Sequence, residues 1–461
     1  MSAPPPYTSL ADQANLVASG ATTSVELVEA ALDRIARLEP RLNAFVEVLG
    51  ESALAEARDR DGSAPAGPLH GVPIAVKDEQ DVAGRPTRFG GAAVTRPAVA
   101  DSELVRRLRA AGAVVIGKTR MPEFGIWPFT ESEAGGHTRN PWNPAWSTAG
   151  SSGGSAAAVA SGMVAAAIGG DGGGSIRLPA SWCGLFGLKP QRGRVSSAPH
   201  PDLWRSLGTA GPLTRTVADS AIVYDAIAGT TPVDRFAAAS LRLTEAVEAP
   251  FVPLRIAVVL RCPAGPIRTD PESVAAVHGT AEVLRSLGHS VAPADPGYPF
   301  VTMSFLSQLV GGVGDEAARV DHPDRLEART RHLLRVGRPL GWYAERGERA
   351  GLRQAAAFNS EFFADHDLLL TLTTPGPAVG VGRLDGAGMM WAILRALPVA
   401  SFTSLWNVLG NPAAAIPSGF SADGRPLSVQ LVGPPDRDDL VVTVAAQLER
   451  ARPWAQATPD L

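Results

Sequence analysis

The chain reads STAGSSGGSAAAVASG from Ser147 to Gly162 and GGDGGGSIRLPA from Gly169 to Ala180. Two glycine-serine clusters this close together admit three readings: a flexible linker, a phosphate-binding loop, or small polar groups held for bond-breaking chemistry. The linker reading fails on the flanks. Alanine-rich helix formers adjoin the clusters, and Ile176, Leu178, Phe186 and Leu188 follow the second, which places both in a packed interior. The phosphate reading fails on the motif: a Walker loop is G-x-x-x-x-G-K-[ST], and neither cluster contains a lysine. The second cluster also lacks a dinucleotide fingerprint with a matched acidic residue at a second strand end. Packed glycine costs backbone entropy, so a run of it signals unusual dihedrals or close backbone approach. Tight packing alone is one explanation. The other is catalysis, because GGDGGGS can turn several N–H groups toward one point, as an oxyanion hole does.

A serine nucleophile needs a base. None of the eight histidines (His70, His137, His200, His278, His289, His322, His332 and His366) lies in a G-x-S-x-G context, and spacing selects none of them. His289, after a glycine that leads into a strand, reads as a turn or surface position. Lysine is the alternative. Of 42 basic residues only Lys77, Lys118 and Lys189 are lysines. Genome composition is a sufficient reason for such a bias. Yet arginine cannot act as a neutral base, whereas a buried lysine can lose its proton near neutral pH. Residue types alone leave the base open between histidine and lysine.

The remaining composition sets bounds. A chain of 461 residues with 19% charged residues is long and apolar enough for a large packed core. A formal charge of -4 gives no reason to expect nucleic acid or an anionic membrane as partner. Cys183 and Cys262 form no CxxC pair, so neither a zinc site nor a disulfide framework is expected. No H-E-x-x-H or calcium-loop spacing occurs, and no cofactor or metal is expected. MSAPPPYTSLADQ lacks a basic region followed by an apolar run, and MVAAAIGG is too short to span a bilayer. A cytoplasmic enzyme is the expectation.

Along the chain, SLADQANLVASG, TSVELVEAALDRIARLEP (capped by Ser24, closed by Pro40) and ESALAEARDRD read as helices. HGVPIAVKD reads as a strand with Lys77 at its end. DSELVRRLRAAG, capped by Asp101, is a helix that turns at Gly112 into the buried strand AVVIGKT. Helix, glycine turn and apolar strand is α/β grammar. PLTRTVADSAIVYDAIAG contains a helix starting near Thr216 or Asp219. PLRIAVVL, HDLLLTLTT, AAAIPSGF and PLSVQLVGP are strands, residues 299 to 365 are mostly helical, and DRDDLVVTVAAQLERA closes the chain as a helix. The order predicts an α/β fold with a mixed central sheet and helices on both faces.

Five blocks together resemble the amidase signature family: GVPIAVKD with Lys77, STAGSSGGSAAAVASG with Ser151, GGDGGGSIRLPASWCGLFGLKP with Ser175, GPLTRTVADSA, and NVLGNPAAAIPSGFSADGRPLSVQLVGPPDRDDLV. The resemblance implies a Ser-cisSer-Lys triad: Ser175 as nucleophile, Ser151 as bridging serine and Lys77 as base. The 24-residue offset selects Ser151 over Ser152 as the bridge. The N–H groups of Gly172, Gly173, Gly174 and Ser175 are then the oxyanion-hole candidates. Ser152 neighbours the bridge, Asp171 and Arg177 pair to brace the nucleophile loop, and Asp78 is a candidate to position Lys77. Cys183 reads as a buried structural thiol. Two departures lie beside this machinery. Thr148, Ala149 and Gly150 stand where the family often has Pro-Gly-Gly, and Gly170 stands where threonine or serine is common.

The expectation is therefore one amidase domain over residues 1–461, with a signature core at about 67–228 and a variable substrate-covering region at about 229–400. The reaction expected is hydrolysis of an apolar or aryl amide, with carbamates in range, through a serine acyl-enzyme. The alternatives are a glutaminase subunit of an amidotransferase working with partner proteins, and an inactive scaffold. Met121, Trp127, Phe129, Met389, Met390 and Trp391 are pocket candidates, although such residues pack anywhere. The expected partner is a small amide or carbamate, not nucleic acid or a membrane. A homodimer is compatible with the chain.

Overall fold

The computed structural model describes residues 4–200 and 203–461. Its centre is an 11-stranded sheet. In chain order the strands are β1 (Phe45–Val48), β2 (Pro73–Lys77), β3 (Val114–Thr119), β4 (Ala166–Gly170), β5 (Phe186–Lys189), β6 (Ala210–Thr214), β7 (Arg255–Val258), β8 (Ser290–Pro293), β9 (Leu368–Leu372), β10 (Ala413–Phe420) and β11 (Pro426–Val432). They lie side by side as β1-β3-β2-β4-β6-β5-β10-β11-β9-β7-β8. β3, β2 and β4 are mutually parallel, as are β9, β7 and β8. The other pairs are antiparallel, which makes the sheet mixed.

The strand sequences explain why both faces are covered. β2, β3, β4, β5, β9 and β11 are buried at every residue, as expected of strands with helices on both sides. Alternate residues enter different cores. Ile74, Val76, Val115 and Ile168 join one cluster with Leu104, Val217, Val277 and Val441 from surrounding helices. Ala75, Val114, Ile116 and Ala167 join another with Val28, Ile35, Ala157 and Ala180. The small side chains on this second face let the alanine-rich helix Gly153–Ala160 approach closely.

Several local expectations shift by a residue or two. The second helix, Ser24–Leu42, is capped by Thr23, not Ser24. Thr23 and Glu26 form a reciprocal capping box, and the Ser24 hydroxyl donates to Gly71 O instead. That helix runs through Pro40 to Leu42. The helix Glu103–Ala110 is capped by Ser102, while Asp101 accepts from Ala83 N–H and pairs with Arg109. Thr216 caps the helix Val217–Ile227. His289 is buried rather than superficial: its Nδ1 accepts from Leu254 N–H and its Nε2 donates to Gln447. Residues 299 to 365 form three helices, Thr302–Ala317, Ala328–Gly341 and Ala344–Asp365. No helix among the described residues is long and apolar enough to cross a membrane.

Candidate active site

The site is built where two neighbouring strands of the sheet end and a third segment meets them. β2 and β4 are parallel, with Val76 opposite Ile168, so Lys77 and Gly170 emerge together at their carboxyl ends. Residues 171–176 turn from β4 into the helix Arg177–Cys183. The segment 147–152 turns into the helix Gly153–Ala160 and carries a cis peptide between Gly150 and Ser151. Clefts outside the carboxyl ends of parallel strands are where α/β folds place their ligands.

Lys77 is 1% exposed, and Nζ lies 2.8 Å from Ser151 Oγ. Its other neighbours are Gly170 O at 3.3 Å and Glu79 Oε2 at 3.0 Å. The other two lysines are buried in different settings. Lys118 Nζ sits 2.9 Å from Asp78 and donates to Pro86 O and Thr87 Oγ1. Lys189 donates to Pro190 O, and burial, helped by the charge of Arg177, pushes it down to about 7. Among the described residues, Lys77 alone of the three reaches a serine. Asp78, expected beside Lys77, faces Lys118 instead, with both side chains fully buried. Burial raises the Asp78 carboxyl and Lys118 opposes the rise. Glu79, the next residue, takes the place beside Lys77, one residue away from the expectation.

Ser152 fastens the two serine loops together. Its Oγ donates to Gly170 O and accepts from Gly170 N–H, while its own N–H donates to Ser175 O. Ser175 is 7% exposed. Its hydroxyl makes no hydrogen bond among the described residues, so Ser151 is engaged with Lys77 while the link to Ser175 is open. Of the four expected oxyanion donors, Gly174 N–H is already committed to Asp171 Oδ1 at 2.7 Å. The N–H groups of Gly172, Gly173 and Ser175 have no acceptor among the described residues.

Asp171 and Arg177 are both fully buried, 3.0 Å apart, in place of a surface pair. Asp171 also accepts from the N–H groups of Ile176 and Arg177. Burial would raise its carboxyl. The charge of Arg177 and hydrogen bonds from Arg177 and Asn407 outweigh it and hold the group well below the usual carboxylate range. Asn407 bridges the pair, donating to Asp171 and accepting from Arg177, and Gln430 and Thr403 O accept the remaining Arg177 N–H bonds. Asn407 and Gln430 come from the C-terminal block that carries the resemblance. Only three-dimensional contact reveals their role.

The glycine at 170 has a steric reason. A Cβ there would lie 1.7 Å from Glu79 Oε1, inside any permissible contact. At Gly172 a Cβ would lie 2.4 Å from the Trp204 ring, whose Nε1 donates to Phe124 O. Glu79 and Trp204 thus fill the space beside the two glycines, and both line the cavity around Lys77 and Ser151. Neither stood out in the sequence; the signal available was the unusual glycine at 170. Ala149, in a family glycine position, adopts a φ of 59°.

The expected pocket residues divide. Met121, Trp127 and Phe129 are 2%, 3% and 1% exposed and belong to the core, whereas Met390 and Trp391 are 61% and 64% exposed on the outer side of the helix Met389–Val399. Of these five, Phe129 borders a groove. It stacks obliquely on Trp182, and both line this groove, walled by Pro375, Pro377, Val379 and Val399. Met389 borders a separate cavity beside Glu131 and His137. Glu131, His137 and Asp385 lie close enough to share a cation, but each has a partner without one. His137 Nε2 is 2.7 Å from Asp385, and Glu131 accepts the N–H groups of Gly382, Arg383 and Leu384. Cys183 is buried, and burial pushes its thiol far up, which suits a structural role.

Fold and site together define an amide-bond hydrolase. The sequence profile of the Amidase family matches residues 26–442, and the chain belongs to that family, an amidase acting on C–N bonds. AmiB2 of Mycobacterium tuberculosis, whose name places it among the amidases, is 44% identical over 99% of this chain and 98% of its own length. The solved structure of a 6-aminohexanoate cyclic dimer hydrolase superposes with a TM-score of 0.91 at 34% identity, covering 99% of each chain. A bacterial aryl acylamidase of the amidase signature family superposes at 0.86, with 26% identity and coverage of 98% and 97%.

Proposed function

We propose that the chain hydrolyses a neutral, largely apolar amide through an acyl-enzyme on Ser175, with carbamates and aryl amides in range. The observation that carries this reading is the 2.8 Å contact between Lys77 Nζ and Ser151 Oγ beside a nucleophile loop with three unclaimed N–H groups. Lys77 in its neutral form takes the Ser151 proton, and Ser151 takes the Ser175 proton as Ser175 attacks the carbonyl carbon. The oxyanion is held by N–H groups from Gly172, Gly173 and Ser175, each donor being worth about 3 kcal/mol in such sites. Ser151 returns a proton to the departing amine, and water then cleaves the acyl ester by the same relay.

A groove beside Trp182 offers apolar surface that supports the apolar part of this reading. Phe129, Trp182, four prolines (Pro271, Pro375, Pro377 and Pro398), Val379 and Val399 supply its apolar surface, and Arg268, Asp270, Arg383, Arg395 and Arg425 border it; the Phe129 backbone lies against Gly150, next to Ser151. Residues from the 229–400 segment supply most of that wall, and Phe305 lies over Gly173, which supports a covering role for this segment within one hydrolase unit. Relatives named for a cyclic amide dimer and for aryl acylamides fit an apolar amide. The test compares kcat/KM for an acyl anilide, an aryl carbamate, a cyclic amide dimer and free glutamine. Any of the first three should win; glutamine winning by orders of magnitude would replace this reading with the glutaminase one.

A further inference from the structure

Lys77 meets two demands that pull in opposite directions. As base it must present a lone pair to Ser151, yet a carboxylate lies 3.0 Å from its nitrogen. The three neighbours of Nζ resolve this geometrically. Gly170 O can only accept, and so can an ionised Glu79, whereas Ser151 Oγ can donate. A neutral amine has two N–H bonds and one lone pair. With Gly170 O and Glu79 each claiming an N–H, the lone pair is left facing Ser151. When the proton arrives from Ser151, the ammonium has three N–H bonds and an acceptor for each.

Space for this carboxylate exists because residue 170 has no side chain. The Glu79 Oε1 atom lies 1.7 Å from where a Cβ on Gly170 would stand. The other charged groups around this floor are committed elsewhere. Asp78 faces Lys118, Asp171 faces Arg177, Arg205 faces Asp315, and His200 lies between Asp81 and Glu316. Glu79 is 12% exposed and is the carboxylate within ion-pair distance of Lys77 among the described residues.

We propose that Glu79 is a positioning residue for Lys77, admitted by Gly170, which aims the amine at Ser151 and sets the pH at which the serine relay opens. This rests on the acyl-transfer reading above. The carboxylate 3.0 Å from the amine brings both an acceptor and a charge to it. Orientation and charge are separable: glutamine keeps an acceptor of the same shape, and leucine keeps neither acceptor nor charge.

The experiment measures the rate of Ser175 phosphonylation by a fluorophosphonate from pH 5 to 10, with the labelled residue identified by mass spectrometry. In Glu79→Gln the acid limb should move down by about one unit or more, the scale of a lost opposite charge nearby, with the plateau kept. In Glu79→Leu the limb should move likewise and the plateau should fall. Gly170→Ala should reproduce the Glu79→Gln shift by displacing the carboxylate, and the double variant should show no further shift, since both changes break one contact. A Glu79→Gln limb within about 0.3 units of the native one, with Ser175 still labelled, would overturn the proposal, since the loss of a close opposite charge at a buried amine is expected to give about one unit or more. If Glu79→Gln does not fold, Gly170→Ala is judged by the same two outcomes. Native protein unlabelled at Ser175 at every pH would instead overturn the acyl-transfer reading, and this inference with it.

Discussion

Replacing Asp171 by asparagine changes one heavy atom and removes the anion that organises the loop carrying Ser175. In the native protein one carboxylate oxygen accepts from Gly174 N–H, Arg177 Nη2 and Asn407 Nδ2 at 2.7, 3.0 and 2.8 Å. The other accepts from Ile176 N–H and Arg177 Nε at 3.1 and 3.0 Å, with Arg177 N–H at 3.4 Å. An amide can keep one of these sets. Its NH2 group then faces donors at the other, and a fully buried guanidinium is left without its counter-charge. Breaking a buried pair this way costs about 3–5 kcal/mol. Unfolding entropy of about 2.1 cal/mol/K per residue over 461 residues comes to about 1 kcal/mol/K, so the midpoint should fall by about 3–5 °C. The effect on chemistry should be larger, because Ser175 lies between Gly174 and Ile176, whose N–H groups Asp171 holds. Misplacement by about 1 Å can cost about 100-fold in rate.

Two assays separate the effects: scanning calorimetry for stability and Ser175 phosphonylation for reactivity. Asp171→Leu combined with Arg177→Met removes both charges and should recover part of the lost stability. Asn407 and Gln430 then lose partners, and the loop loses its anchor, so reactivity should stay low. If Asp171→Asn melts within about 1 °C of the native protein and labels at the native rate, the pair is not holding the loop and the reasoning is wrong.

Other expectations are simpler to state. Ser175→Ala should abolish turnover with the melting midpoint unchanged, and acyl label on Ser151, Ser152 or Cys183 in the native protein would reassign the nucleophile. Lys77→Arg should be nearly as damaging as Lys77→Ala, because arginine keeps the charge and cannot deprotonate; retained activity would remove the lysine-base role. Dialysis against a chelator should leave the rate unchanged, and a loss restored specifically by zinc would point to the Glu131-His137-Asp385 group. At His200, burial lowers the imidazole, but hydrogen bonds and charge from Asp81 and Glu316 outweigh it and raise the group to about 9, above its ordinary 6.5. Its contribution, about 3 kcal/mol at most, is therefore present below pH of about 6.5 and lost as pH rises through about 9. The decline in melting midpoint over that window should flatten in His200→Gln, and an unchanged slope would contradict it.

Most of the architecture was legible because it is local. Uninterrupted apolar strands such as HGVPIAVKD and AVVIGKT announce burial on both faces, and glycine turns separate them from helices. Helix ends were less legible, since Thr23 and Ser24, or Asp101 and Ser102, are both capable caps, and only the backbone dihedrals choose. Residues singled out by bulk fared worst. Met121 and Trp127 fill the core, and Met390 and Trp391 face outward, because an apolar side chain carries no mark of which surface it will meet. The polar braces Asn407 and Gln430 lie over 200 residues from Asp171 and Arg177, and no local pattern joins them.

Glu79 and Gly170 are the more instructive failure. Each is unremarkable alone: an acidic residue after a strand, and a glycine in a loop already rich in glycine. The departure at Gly170 was visible, but a missing side chain reads as looseness until its space is seen to be occupied. Here the vacancy is filled by a carboxylate whose Oε2 touches the amine that faces Ser151. A side chain at 170 would displace the Glu79 carboxylate from this floor. A Gly170→Ser substitution in the native background should therefore disturb the pH dependence of Ser175 more than its folding, because the clash falls on the far end of a flexible side chain that can swing aside. Were the same substitution to cost stability and leave the pH profile unmoved, the glycine would be serving the packing of β4 and not the setting of Lys77.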